Sequence, residues 1–295
     1  MNKSFAQKAA SALVVALGAI ATVSSAQAGT LVNGWNYARD DYSYDGYNNG
    51  NLSATSQYDI YGIGIKEVGN EIWVGVSAST PLTGVYSSAA ADQNIGWGDL
   101  FLDFNYGKPN NSFASAQGSL IGIRFAATND SGVSMTGVYT GVTAKSVTQD
   151  NSGFSSLNQY ATYVPNAKIG DLALNDPYYS GYKYARVPNV ISSYSSRVGD
   201  VTALLPSALV DLPNPALASN NLIKFGFKFE RPVGFSGDYL GSLFLECFND
   251  SAAIRGNSRS RSVPVPPAIA GVLVAGALGG WRMAKRKKQL KAVVV

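Results

Sequence analysis

The stretch Tyr58-Asp59-Ile60-Tyr61-Gly62-Ile63-Gly64-Ile65-Lys66 runs through the turn Val68-Gly69-Asn70 into Glu71-Ile72-Trp73-Val74-Gly75-Val76-Ser77. Aliphatic residues recur at every second position on both sides of a Gly-Asn turn. That period belongs to a half-buried strand, and two such runs joined by two turn residues predict a β-hairpin. Further strands are expected at Asp99–Phe104, Leu120–Phe125, Val133–Val147, Leu222–Glu230 and Gly241–Cys247. In Leu222-Ile223-Lys224-Phe225-Gly226-Phe227-Lys228-Phe229-Glu230, charged residues alternate with phenylalanines, which predicts one buried and one wet face.

Helical periodicity is scarce. The best candidate is Asp200-Val201-Thr202-Ala203-Leu204-Leu205, with Asp200 as cap and Pro206 as limit. Residues 151–196 are rich in Tyr, Ser, Asn and Pro without a clear period, and read as a long surface excursion between core strands. The expected body is therefore all-β, a jelly-roll-like β-sandwich over 29–257, followed by a linker at 258–262.

Both ends carry targeting patterns. Lys3 and Lys8 precede an apolar run from Ala9 to Val23, and Ala26-Gln27-Ala28 follows, so residues 1–28 read as a helical signal peptide cleaved after Ala28. At the other end, over 263–295, Val263-Pro264-Val265-Pro266-Pro267 leads into an apolar helix from Ala268 to Trp281. The basic cluster Arg282, Lys285, Arg286, Lys287 and Lys288 comes next. Basic residues stay on the cytoplasmic side, so this helix would anchor the tail in the membrane and leave the body outside. A proline motif, a short apolar helix and a basic cluster resemble the PEP-CTERM class of sorting signals. That resemblance implies processing by an exosortase-type enzyme. Val265 stands where that class has glutamate, and seven residues follow Lys288. A plain single-span anchor is the alternative, and it also places the body outside.

Two of the 23 Lys and Arg residues lie in the signal and six in the tail, leaving 15 against 19 acidic residues in the body, a net charge of −4. A nucleic-acid-binding face, which needs a basic surface, is thereby excluded. Histidine is absent, which removes His-based triads and His-ligated metals, and no catalysis is expected. Cys247 is the sole cysteine, so no internal disulfide can form, and its apolar neighbours make it a small core residue.

Three acidic groupings are candidate sites. Asp40, Asp41 and Asp45, near Asn48 and Asn49, offer the oxygen ligands that calcium takes, although the same residues serve as solvated turn formers. Asp92, Asp99 and Asp103 read as the exposed face of an edge strand. Paired glycosidase carboxylates are the sharper alternative, but acids four apart on one strand are ~13 Å apart. Glu246, at the end of what reads as the last core strand, is expected to be buried against Arg255, Arg124 or a cation.

The body carries Trp35-Asn36-Tyr37-Ala38-Arg39-Asp40-Asp41, Asp59-Ile60-Tyr61-Gly62 and Gly98-Asp99-Leu100 early, and Phe225-Gly226-Phe227, Leu243-Phe244-Leu245-Glu246-Cys247 and Asn249-Asp250 towards its end. This set resembles cyanobacterial-type exosortase-dependent surface proteins, which implies a location at the cell surface. The 17 tyrosines, clustered in loops such as Tyr178-Tyr179-Ser180-Gly181-Tyr182-Lys183-Tyr184, suit stacking on an extracellular polysaccharide as well as capping a β-sandwich. The chain thus reads as an exported surface or matrix protein, with a calcium-assisted carbohydrate-binding module as the alternative.

Overall fold

The computed structural model describes residues 29–40, 43–217 and 222–258. The signal peptide expected over 1–28, the sorting segment over 263–295 and Asp41 lie outside the described residues. In chain order come β1 (Thr30–Val32), β2 (Trp35–Arg39), β3 (Ile60–Val68), β4 (Glu71–Ala78), β5 (Val85–Tyr86), β6 (Asn94–Ile95) and β7 (Leu100–Asp103). Next are β8 (Leu120–Arg124), β9 (Gly137–Lys145), the helix α1 (Leu157–Tyr163), β10 (Lys168–Ile169), β11 (Leu172–Ala173) and a 3-10 turn at Pro177–Tyr182. The chain continues through β12 (Val190–Ser193), β13 (Ser196–Gly199), β14 (Thr202–Ala203), a 3-10 turn at Pro206–Leu209, β15 (Ile223–Glu230), β16 (Gly237–Phe244) and β17 (Ser251–Ser258).

All of the pairings are antiparallel. One six-stranded sheet has the order β1-β2-β3-β4-β15-β14. A seven-stranded sheet has the order β12-β9-β8-β7-β16-β17, with β13 also on β9. The opening hairpin forms as the alternation predicts, β3 pairing with β4 from Val68↔Glu71 upward, with Gly69 at φ 61° supplying the positive φ of the tight turn.

The two sheets enclose a common core. Ile63, Ile65, Val74, Val76 and the three phenylalanines of β15 come from the first sheet, and Leu100, Leu102, Ile123, Val138, Leu243 and Ile254 from the second. Phe125 stacks on Phe227 across it, with ring centroids 4.5 Å apart and planes 9° apart. The predicted alternation of β15 holds, since Phe225, Phe227 and Phe229 are buried while Glu230 is exposed.

The outer face of the first sheet explains its glycines. Gly64 pairs with Gly75, and Gly75 with Gly226, so a trench without side chains crosses three strands. Trp35, Leu209 and Leu212 fill it. A Cβ on Gly64 would stand 2.8 Å from Leu212 Cδ1, and one on Gly75 would stand 3.0 Å from both Leu212 methyls.

Five expectations are corrected. Residues 151–196 are not a surface excursion: Phe154, Leu157, Tyr160, Ile169, Leu172, Tyr178 and Tyr179 form a second core against Phe101, Leu240 and Phe244 on the outer face of the seven-stranded sheet. An irregular layer buries apolar residues without regular spacing, which hides them from a periodicity reading. The helix expected from Asp200 is instead β14, where Thr202 pairs with Lys228, and Pro206 opens only a short 3-10 turn. Gly241–Cys247 does not close the core, because β17 follows and pairs with β16 along eight positions. β17 also takes in Ser258, which is buried rather than the start of a linker. Finally, β7 is no edge strand: it lies between β8 and β16, and its four residues are all buried.

Candidate metal centre

Three strand ends and one irregular segment bring four aspartates together. Asp40 follows β2, and its N–H still donates to Tyr61 O at 3.1 Å, continuing the ladder with β3. Asp45 lies a few residues on, Asp59 directly precedes β3, and Asp250 directly precedes β17. All four are at most 2% exposed. One carboxylate oxygen from each of Asp40, Asp45 and Asp250 lies within 4.8 Å of the other two.

Backbone donors orient these carboxylates. The N–H of Gly170 donates to Asp40 Oδ1, and that of Lys168 to Asp45 Oδ2 at 3.2 Å. Asp250 accepts from Ile60 N at 2.5 Å through Oδ2 and from Ser251 N at 2.7 Å through Oδ1. Asp59 Oδ1 accepts from Gly46 N at 3.3 Å. Tyr160 donates its hydroxyl to the carbonyl of Asp45 at 3.0 Å.

Electrostatics oppose placing so many anions together. Burial pushes the Asp250 carboxyl well above the usual carboxylate range, and the charges of Asp45, Asp40 and Asp59 push it further, against the N–H of Ile60. Burial and the same four carboxylates drive the phenol of Tyr160 well up, so it stays a neutral donor. A proton or a cation relieves this repulsion. The spacing fits a cation: ligands at ~2.3–2.6 Å from calcium stand up to ~5 Å apart across the ion, and an all-oxygen donor set is the one calcium takes.

Asp40 and Asp45 are thus brought together as the sequence suggests, while Asp41 lies outside the described residues. Asn48 and Asn49 do not join them: Asn48 and Asn51 exchange backbone hydrogen bonds across a turn, with Asn49 exposed at its tip. The contributor that sequence reasoning missed is Asp250. Asn249-Asp250 stands out in the sequence, but nothing local shows that it folds back onto a segment some 200 residues earlier.

The other candidates are internally satisfied. Asp99, read as exposed, is buried and accepts from Asn129 Nδ2 at 2.8 Å, Ser131 Oγ at 2.7 Å and Ile191 N at 2.7 Å. Asp103, also buried, accepts from Asn105 N at 2.8 Å and from the Tyr178 hydroxyl at 3.0 Å. Asp92 is exposed in a turn, holding Asn94 N at 2.9 Å. Glu246 is buried as expected, but its partners are backbone amides rather than an arginine: Gly96 N at 2.8 Å and Asp130 N at 2.5 Å. Arg124 instead donates to Asn129 and to the carbonyls of Val133 and Ala127, and Arg255 faces Asp176 at 3.6 Å. Burial raises the Glu246 carboxyl to about 8. Cys247 is a fully buried core residue, and its thiol is pushed up by burial. Of the tyrosine-rich loop, Tyr178 and Tyr179 are core residues, whereas Tyr184 is 78% exposed with Lys183 over its ring.

No family model matches the chain, and neither a curated protein nor a solved structure matches it.

Proposed function

We propose that this chain is an exported bacterial surface protein whose body is a β-sandwich held together by calcium, with no catalytic role. The observation that carries the calcium reading is the buried Asp40, Asp45 and Asp250 set, its oxygens within 4.8 Å of one another. A divalent cation there would neutralise the charges that now raise Asp250. It would also tie the end of β2 to the start of β17, fastening the second strand of the body to its last across more than 200 residues. Asp59, beside them, adds charge that favours a cation further.

Export gives such a staple its purpose. Lys3, Lys8, the apolar run and Ala26-Gln27-Ala28 support secretion, and outside the cytoplasm calcium is plentiful and cross-links are common. With Cys247 alone, this chain has no disulfide to use. The two sheets around one core support the sandwich reading, jelly-roll-like in that the chain passes between the sheets three times: after β4, before β14 and after β15. Val263-Pro264-Val265-Pro266-Pro267 and the basic cluster support sorting at the envelope by an exosortase-type enzyme, with the apolar helix as a passing or lasting membrane anchor.

Calorimetric titration of the mature, chelator-stripped chain with calcium tests the metal. Binding by the wild type that Asp250→Asn abolishes supports it, and no heat of binding from the wild type rejects it. Intact mass of the protein from its native host tests the sorting: loss of residues 268–295 supports cleavage, and their retention leaves a plain anchor.

A further inference from the structure

We propose that the cleft between α1 and the β10–β11 hairpin is a binding site for a neutral oligosaccharide, an inference that rests on the surface-display reading above. The cleft encloses about 970 Å3, and its far side is closed by the 3-10 turn Pro177–Tyr182. That is at the upper end of the ~300–1,000 Å3 usual for small-molecule sites. It is separate from the buried aspartates, although its wall is pinned to them.

Sugars combine apolar C–H faces with a dense rim of hydroxyls, so a sugar site needs an apolar floor and a rim carrying both donors and acceptors. The cleft supplies both. Leu157, Leu172 and Leu174 line it as apolar surface. Asn158, Asn175 and Ser180 stand at its exposed edge, and their side chains make no hydrogen bond with the described residues. Asp171 is held in place through Oδ2 by the N–H of Arg255 at 2.8 Å, which leaves Oδ1 to accept from a ligand. Amides and a carboxylate at one rim are the groups that pair with adjacent hydroxyls.

Charge narrows the ligand class. Lys168 and Lys183 line the cleft along with Asp171 and Asp176, and Arg255 stands 3.6 Å from Asp176 outside the lining, so no large excess of either sign faces a ligand. An anionic glycan or nucleotide would call for an excess of cations, and a basic peptide for an excess of acids. The wall is also preformed: Gly170 N donates to Asp40 Oδ1, Asp171 N to Ala253 O at 2.9 Å, and Asn158 N to Lys183 O at 3.1 Å. Little ordering cost is then left for binding.

The test is calorimetry of the mature chain, in excess calcium, with neutral cello-, xylo- and manno-oligosaccharides. The expected result is binding of at least one by the wild type, weakened tenfold or more in Asp171→Asn. It should be lost in Ala173→Trp, where an exposed wall residue is enlarged into the cleft, and unchanged in Leu205→Ala, an exposed residue between β14 and the 3-10 turn Pro206–Leu209 that does not line the cleft. Circular dichroism verifies that each variant is folded. Absence of binding by the wild type overturns the proposal, as does binding that survives both cleft substitutions. Display is read separately, by protease shaving of intact host cells, so its failure and failure of the cleft give different results.

Discussion

Replacing Glu246 by glutamine should change how stability depends on pH. The carboxyl is 1% exposed and raised from 4.5 to about 8, chiefly by burial, with Asp130 and Asp92 adding repulsion and the N–H groups of Asp130 and Gly96 opposing it. The folded state therefore holds a proton that the unfolded chain releases near pH 4.5. The stabilisation is full below that pH and is lost as pH rises through about 8. A shift of this size has a ceiling of about 5 kcal/mol, at ~1.4 kcal/mol per pH unit. Glutamine is neutral throughout, but its amide can accept from only one of the two backbone donors, which costs ~1–3 kcal/mol at acid pH. In urea unfolding followed by tryptophan fluorescence in chelator, the wild type should start more stable at pH 5 and fall more steeply. The two profiles should cross before pH 8. Parallel profiles would refute the argument that Glu246 is folded in its protonated form.

Three other outcomes follow from the packing. Gly75→Val should cost ~1–3 kcal/mol in the same assay, because its side chain would strike the Leu212 methyls and Trp35 in the trench; a loss under ~0.5 kcal/mol would mean the trench is loosely filled. Phe227→Ala should cost ~3–5 kcal/mol, since it empties a ring stacked on Phe125 in the central core. Cys247 should resist thiol reagents in the native protein and react only at the rate of unfolding, as its burial requires; rapid native labelling would contradict that placement.

The opening hairpin and β15 were legible in the sequence because their period of two is strict and their turns are short. Asp40 and Asp45 were legible as an oxygen-rich segment, since local composition carries that signal. Asp250 was not, because its partnership is set by β17, paired to β16 in the other sheet, packing beside β2 and β3, an arrangement that local pattern does not encode. β17 itself was hidden: Ala252, Ala253 and Gly256 are small, and a strand squeezed between layers lacks the large alternating residues that announce one. For a related reason Asp99 and Asp103 misled. Carboxylates flanking an apolar run normally mean exposure, but here both are buried and paid for by hydrogen bonds from neighbouring loops.

The central claim is that calcium replaces protons among Asp40, Asp45 and Asp250, and thermal melting of the mature chain near neutral pH tests it most directly. Occupancy at a hundred times the dissociation constant adds ~2.7 kcal/mol. For a body of this size that is roughly 5–10 °C in melting temperature. The account predicts such a rise in the wild type when chelator is replaced by excess calcium, and its loss in Asp250→Asn. A wild-type melting temperature that calcium leaves unchanged, or an equal rise in the variant, would contradict it.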